Sequence, residues 1–127
     1  MGTITEDYVS FETAKLLKEK RFNEWCNSYF ISDNEIALIS NRRDFNNHGV
    51  YLSAPTQQMT MKWLREVHNI FIVIEPHMYD YINEKNSSYV ASLWQGDNYY
   101  ENIISKDYPT YEETVEAAIQ YSLKNLI

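Results

Sequence analysis

Cysteine is almost missing from this chain: Cys26 is the single one in 127 residues. No intramolecular disulfide can form, and such a chain suits a reducing interior. Glycine is nearly as scarce, with Gly2, Gly49 and Gly96 alone. No Walker or dinucleotide loop can be assembled from them, which argues against standard ATP, GTP and NAD chemistry. Only three prolines accompany them, while aromatics reach 15%. Disordered, collagen-like and low-complexity chains do not carry that balance. Cations are outnumbered, 11 Lys and Arg against 18 Asp and Glu, for a net charge of −7. That argues against nucleic acid as a partner, because phosphates are neutralised by clustered Lys and Arg. Long apolar runs are absent too: Ile70–Ile74 is far shorter than the ~20 residues of a membrane span. The N-terminal stretch carries Glu6 and Asp7 where a signal peptide needs bases, and Glu6 also breaks a myristoylation signal. The expectation is a cytoplasmic protein with no membrane segment.

The residues that are present alternate between helical and extended patterns. Ser10 can cap a first helix over 11–21, with Phe11, Ala14 and Leu17 on one face. A strand over 25–31, the turn residues Ser32-Asp33-Asn34-Glu35 and the apolar run 36–39 read as a hairpin. Residues 41–49 are polar and read as a loop. Val50-Tyr51-Leu52 adds a short third strand. Ser53-Ala54-Pro55-Thr56 opens a helix over 55–68, with Met59, Trp63, Leu64 and Val67 on one stripe and Asn69 as its C-terminal cap. The run 70–74 predicts a strand covered on both faces or central in its sheet, and Pro76 predicts a strand end or an edge. Asn86-Ser87-Ser88 reads as a turn, 89–95 as the returning strand, Gly96-Asp97-Asn98 as another turn and 99–105 as a further strand. Thr110-x-x-Glu113 is a capping box for a last helix lined by Val115, Ala118, Ile119, Leu123 and Leu126.

The order α-β-β-(β)-α-β-β-(β)-α, with tight turns between strands, predicts an α+β fold. Its simplest form is a two-layer sandwich of three helices on a mainly antiparallel sheet, one domain over 1–127.

Reactive chemistry is thinly represented. His48, His68 and His77 have no helical ligand spacing, so no metal and no cofactor is expected, although His68 and His77 could approach each other. Cys26 would need His48 folded onto it to act as a nucleophile, and reads more simply as a small buried hydrophobe. Glu112 and Glu113 sit where the positive end of a helix favours acids. Lys62, Arg65 and Glu66 form the compact mixed-charge group, a solvated face on the plain reading. With His68, and with Arg42 and Arg43 joining them, they also offer enough cation for a small phosphate or carboxylate. Tyrosine is the strongest compositional feature, with 11 copies. Tyr79, Tyr81, Tyr99 and Tyr100 are candidates for a partner or self-association surface, since tyrosine gives large contact area at low entropic cost.

The segment from Tyr51-Leu52-Ser53-Ala54-Pro55-Thr56-Gln57-Gln58 through Lys62-Trp63-Leu64-Arg65-Glu66-Val67-His68 resembles a group of uncharacterised small proteins of gut bacteria and their phages or prophages. The opening helix 11–20 and the closing Tyr111-Glu112-Glu113 helix fit the same group. Arg21 departs from it, standing where a glycine would close the first helix. The resemblance implies a phage- or mobile-element context and supplies no catalytic residues.

Together these features predict a non-catalytic interaction module whose partner is another protein or its own second copy. Two alternatives remain: an anti-defence protein, acting as an acidic nucleic-acid mimic or as an inhibitor of a host protein, and a small enzyme or anionic-ligand pocket using Arg65, Lys62 and His68.

Overall fold

Ser10 turns its hydroxyl onto the Thr13 N–H and starts helix α1 (Phe11–Glu19), which buries Thr13, Ala14 and Leu17. The helix ends on Arg21 in the left-handed region (φ 65°). Arg21 N–H donates to Lys18 and Phe22 N–H to Leu17, the paired bonds of a Schellman motif. Phe22, fully buried, supplies its apolar contact. Position 21 therefore has the backbone that glycine would adopt at no cost, and arginine holds it under strain.

The computed structural model describes residues 4–47, 51–81, 84–100 and 108–127, with positions 77–87 described as backbone. It is α+β: α1, β1 (Cys26–Ser32), β2 (Glu35–Arg43), a 3-10 turn at Phe45–Asn47, β3 (Leu52–Ser53), α2 (Gln57–His68), β4 (Ile70–Tyr81), β5 (Glu84–Gln95), β6 (Asn98–Tyr100) and α3 (Tyr111–Asn125). The predicted order of elements is reproduced. The strands form two antiparallel three-stranded sheets, β2-β1-β3 and β4-β5-β6. Contacts divide the chain into two compact units, Met1–Thr60 and Met61–Ile127, with the boundary inside α2.

In the first unit, Val9, Ala14, Leu17, Phe22, Cys26, Phe30, Phe45 and Ala54 are buried. Asn46 ties three segments of this unit together. Its Nδ2 donates to the Phe22 carbonyl (2.7 Å) and its Oδ1 accepts from Ser53 N–H (3.0 Å). The β1–β2 register is irregular. Cys26 faces Arg43 and Ser28 faces Leu38, so four residues of β2, Ile39–Arg42, stand opposite Asn27 alone. Residues 41–43, expected in a loop, are thus strand. Their polarity is tolerated because β2 is an edge strand with exposed side chains at 40–43.

In the second unit, α3 packs on β4 and β5. Thr110 caps it by accepting from Glu113 N–H, and Val115, Ala118, Ile119 and Leu123 are fully buried. Thr114 and Ser122 are buried as well and return their hydroxyls to the carbonyls of Thr110 and Ala118. β4 corrects one expectation. It lies at an edge, and its burial alternates: Ile70 is buried while Phe71 and Val73 are exposed. An unbroken apolar run does not by itself establish coverage on two faces. Pro76 sits within this strand opposite Tyr89, whose N–H and carbonyl both bond Tyr108 on the other side. Tyr89 therefore requires nothing from Pro76, and the proline nitrogen faces the open edge.

Asn86–Ser88 are strand and not a turn, paired with His77–Tyr79. The tight turn at Gly96–Asp97 joins β5 to β6 with Gly96 at φ 58°, as a two-residue hairpin of type II′ requires. Asn69 (φ 58°) ends α2 as expected. On α2 itself Val67 is exposed, while Thr60, Met61, Trp63 and Leu64 are buried, so the buried stripe is rotated from the one predicted. The proposed extension of β6 over 101–105 lies outside the described residues.

Candidate functional site

Two surfaces stand out, one in each unit. The first is a cleft of about 800 Å³, and the irregular β1–β2 register builds one of its walls. The residues of β2 that have no counterpart on β1 line that wall: Ile39, Ser40, Asn41 and Arg42, continued by Arg43. Asn27 Nδ2 reaches across to the Ile39 carbonyl (3.5 Å), and Arg42 Nη2 donates to the Trp25 carbonyl (2.6 Å). These two bonds hold the displaced segment to β1 and to the residue just before it. The facing wall is aromatic. Tyr29 lies 4.8 Å from Phe45 and 5.0 Å from Tyr51, ring centre to ring centre. Trp25, 61% exposed, stands at the rim.

Among the described residues neither Arg42 nor Arg43 has a carboxylate partner. The nearest acid in sequence, Asp44, is buried, and its Oδ2 instead accepts from Asn47 Nδ2. Cys26 is also buried here. Burial pushes its thiol up to about 11, and neighbouring Ser53 and Arg42 only partly oppose the effect. The thiol donates to the Glu24 carbonyl. At neutral pH it is protonated, which is the wrong state for a nucleophile.

The second surface is the face of the β4-β5-β6 sheet that carries Phe71, Val73, Trp94 and Tyr99. Register places Phe71 opposite Trp94, and Trp94 opposite Tyr99, so three aromatic side chains cross three strands in one row. Trp94 and Tyr99 are in ring contact at 4.6 Å. All three remain 42–47% exposed. Ser92, the neighbour of Val73 across the ladder, keeps the row from continuing as bulk along β5.

The residues expected from sequence fall as follows. Tyr99 belongs to the aromatic row. Tyr100, opposite Leu93, points to the other side of the sheet, so the two adjacent tyrosines do not share a surface. The side chains of Tyr79, Tyr81 and His77, and all of His48, lie outside the described residues. Lys62 and Arg65 are exposed on the second-unit part of α2. Lys62 and Glu66, four residues apart on α2, form no ion pair among the described residues. His68 packs edge-on against Trp63 (4.6 Å), and its Nε2 is buried without a hydrogen-bond partner among the described residues. Burial lowers its pKa and favours the neutral ring. His68 is therefore a packed side chain more than a ligand-facing cation.

Sequence reasoning named Arg42 and Arg43 as possible helpers but missed their cleft, and it missed Phe71 and Trp94. Strand alternation along 70–74 puts Phe71 on the face opposite Ile70, and the all-apolar composition of that run masked it. Among the described residues no three His, Cys, Asp or Glu side chains gather as a metal site, and no helix is long and apolar enough to cross a membrane. No protein-family model, no curated protein and no solved structure matches the chain.

Proposed function

We propose that this chain is a non-catalytic binding module that docks on another protein through the Phe71–Trp94–Tyr99 row. The observation that carries this reading is the row itself: three half-exposed rings aligned across three hydrogen-bonded strands, on a support that α3 stiffens from the other side. Aromatic anchors on a rigid platform are the side chains that dominate protein interfaces. At ~200 Å² per aromatic side chain, these exposures leave about 250 Å² of ring surface uncovered. A stable interface takes about 800 Å² from each partner, so the row supplies the centre of a contact and a polar rim must supply the remainder. That proportion favours a distinct partner over a dimer held by the row alone. The protonated, buried Cys26 thiol supports the non-catalytic part of the reading. The sequence resemblance described above supports reading such a module as a phage- or prophage-type accessory protein, and the proposal has it act in the bacterial cytoplasm.

The test compares the native protein with Trp94→Asp, checked for unchanged circular dichroism. Both are examined by sedimentation across a concentration series and by affinity capture from a gut-bacterial lysate. A species retained by the native protein and lost by Trp94→Asp supports the proposal, and self-association lost in the same way identifies the partner as a second copy. Identical behaviour of the two proteins in both assays refutes it.

A further inference from the structure

The cleft of the first unit combines two chemistries that small-molecule sites use together. One wall is a contiguous aromatic surface, Tyr29, Phe45 and Tyr51, with Trp25 at the rim. The other carries two guanidinium groups that no carboxylate of the described residues neutralises. Its volume of about 800 Å³ falls within the ~300–1,000 Å³ usual for ligand pockets. We infer that this cleft binds a small ligand made of a flat aromatic ring bearing an anionic group, the ring against the aromatic wall and the anion on Arg43 and Arg42.

The division of labour follows from the fold. Arg42 is tethered by Nη2 to the Trp25 carbonyl, which fixes its direction and leaves its remaining N–H groups to donate. The Arg43 side chain makes no hydrogen bond or ion pair among the described residues and supplies the other half of the clamp. Guanidinium groups suit both carboxylate and phosphate, whose paired oxygens match the fork of N–H donors. An unaccompanied anion would gain little here, because the chain's net charge of −7 opposes its approach. A neutral ring would leave the arginines unused. Both halves are needed on one molecule, which sets this site apart from a general anion patch and from the sheet face of the second unit.

The displaced segment of β2 gives the site its structural reason. A regular β1–β2 ladder would pair Ile39–Arg42 along the strand and leave no wall; the four-against-one register moves them out of the ladder. Such an irregularity forfeits ladder hydrogen bonds, and the Asn27 and Arg42 side-chain bonds restore two of the lost backbone partnerships.

The experiment is an NMR titration of the intact chain with four probes: adenosine 5′-monophosphate, indole-3-acetate, adenosine and inorganic phosphate. Either ring-bearing anion is expected to shift the Trp25 indole and Tyr51 signals and to bind at least about tenfold more tightly than adenosine or phosphate alone. Binding of the monophosphate alone identifies a phosphate ligand, and binding of indole-3-acetate alone a carboxylate. Arg43→Gln and Trp25→Ala alter exposed side chains, so the fold should stand. Arg43→Gln should weaken the anionic probe to the level of adenosine, and Trp25→Ala should weaken both ring-bearing anions. The inference is overturned if adenosine or phosphate binds as tightly as the joined probe. It is equally overturned if no probe moves the Trp25 and Tyr51 signals, or if Arg43→Gln binds undiminished.

Discussion

Removing the Asn46 side chain should cost the protein much of its stability, although Asn46 touches neither of the two surfaces directly. Its amide satisfies two backbone groups from segments far apart in sequence, the Phe22 carbonyl after α1 and the Ser53 N–H of β3. Phe22 and Ser53 are buried, so water cannot easily take the place of the amide. In Asn46→Ala both groups lose their partner, at about 1–3 kcal/mol each, or about 2–6 kcal/mol together. A domain of this size is stable by only ~5–15 kcal/mol, so the loss is a large share of the total. Asn46→Asp is the discriminating variant. It keeps the acceptor for Ser53 but turns an oxygen toward the Phe22 carbonyl where a donor is needed. At neutral pH it should be destabilised about as much as Asn46→Ala. As pH falls and the new carboxyl is protonated, it regains a donor and recovers part of the loss relative to Asn46→Ala. Urea titration at two pH values reads both effects as a shift in midpoint at constant slope. A loss below ~0.5 kcal/mol for Asn46→Ala, within the range of ordinary surface substitutions, would refute the reasoning, as would identical pH behaviour of the two variants.

Three further outcomes follow from individual residues. Arg21→Gly relieves a left-handed backbone cost of about 1–2 kcal/mol and gives back part of it as unfolded-chain entropy, so thermal melting should show a net gain of ~0.5–1 kcal/mol. Thr110→Ala removes the bond to Glu113 N–H and should cost ~1 kcal/mol, seen as a lower melting temperature and faster exchange of the first α3 amides. The Cys26 thiol, held up to about 11, should react with a disulfide reagent far more slowly than an exposed thiol. Because the unfolded thiol ionises near 9 and the folded one does not, its contribution to stability is complete below pH ~9 and declines as pH rises toward 11. Rapid labelling at neutral pH in the native state would contradict the burial that places it.

The elements were legible because they rest on local chemistry. Ser10, Thr110 and Asn69 announce helix ends through the bonds and backbone angles they favour, and Gly96-Asp97 does the same for a hairpin. What escaped depends on register and burial. The unbroken apolar run 70–74 hides its alternation, so the exposure of Phe71 emerges only once β4 is an edge strand with α3 on one side. Asn41, Arg42 and Arg43 are polar enough to resemble a loop, and only the pairing of Arg43 with Cys26 carries the strand through them. The cleft arises from a mismatch between two strands, which no spacing within either strand reveals. Val67 shows the same limit on a helix: its position fits an apolar stripe, yet the buried arc of α2 is turned toward Thr60, Met61 and Leu64.

The contact role of the aromatic row is tested most directly by site-specific photocrosslinking in a bacterial host. A benzophenone amino acid is placed at Tyr99, at the end of the row, and at exposed Lys62 on α2 as the control. A discrete protein adduct from position 99, absent from position 62 and lost when Trp94→Asp is added, is the expected result. Adducts of equal yield from both positions, or an adduct at position 99 that survives Trp94→Asp, would contradict the account.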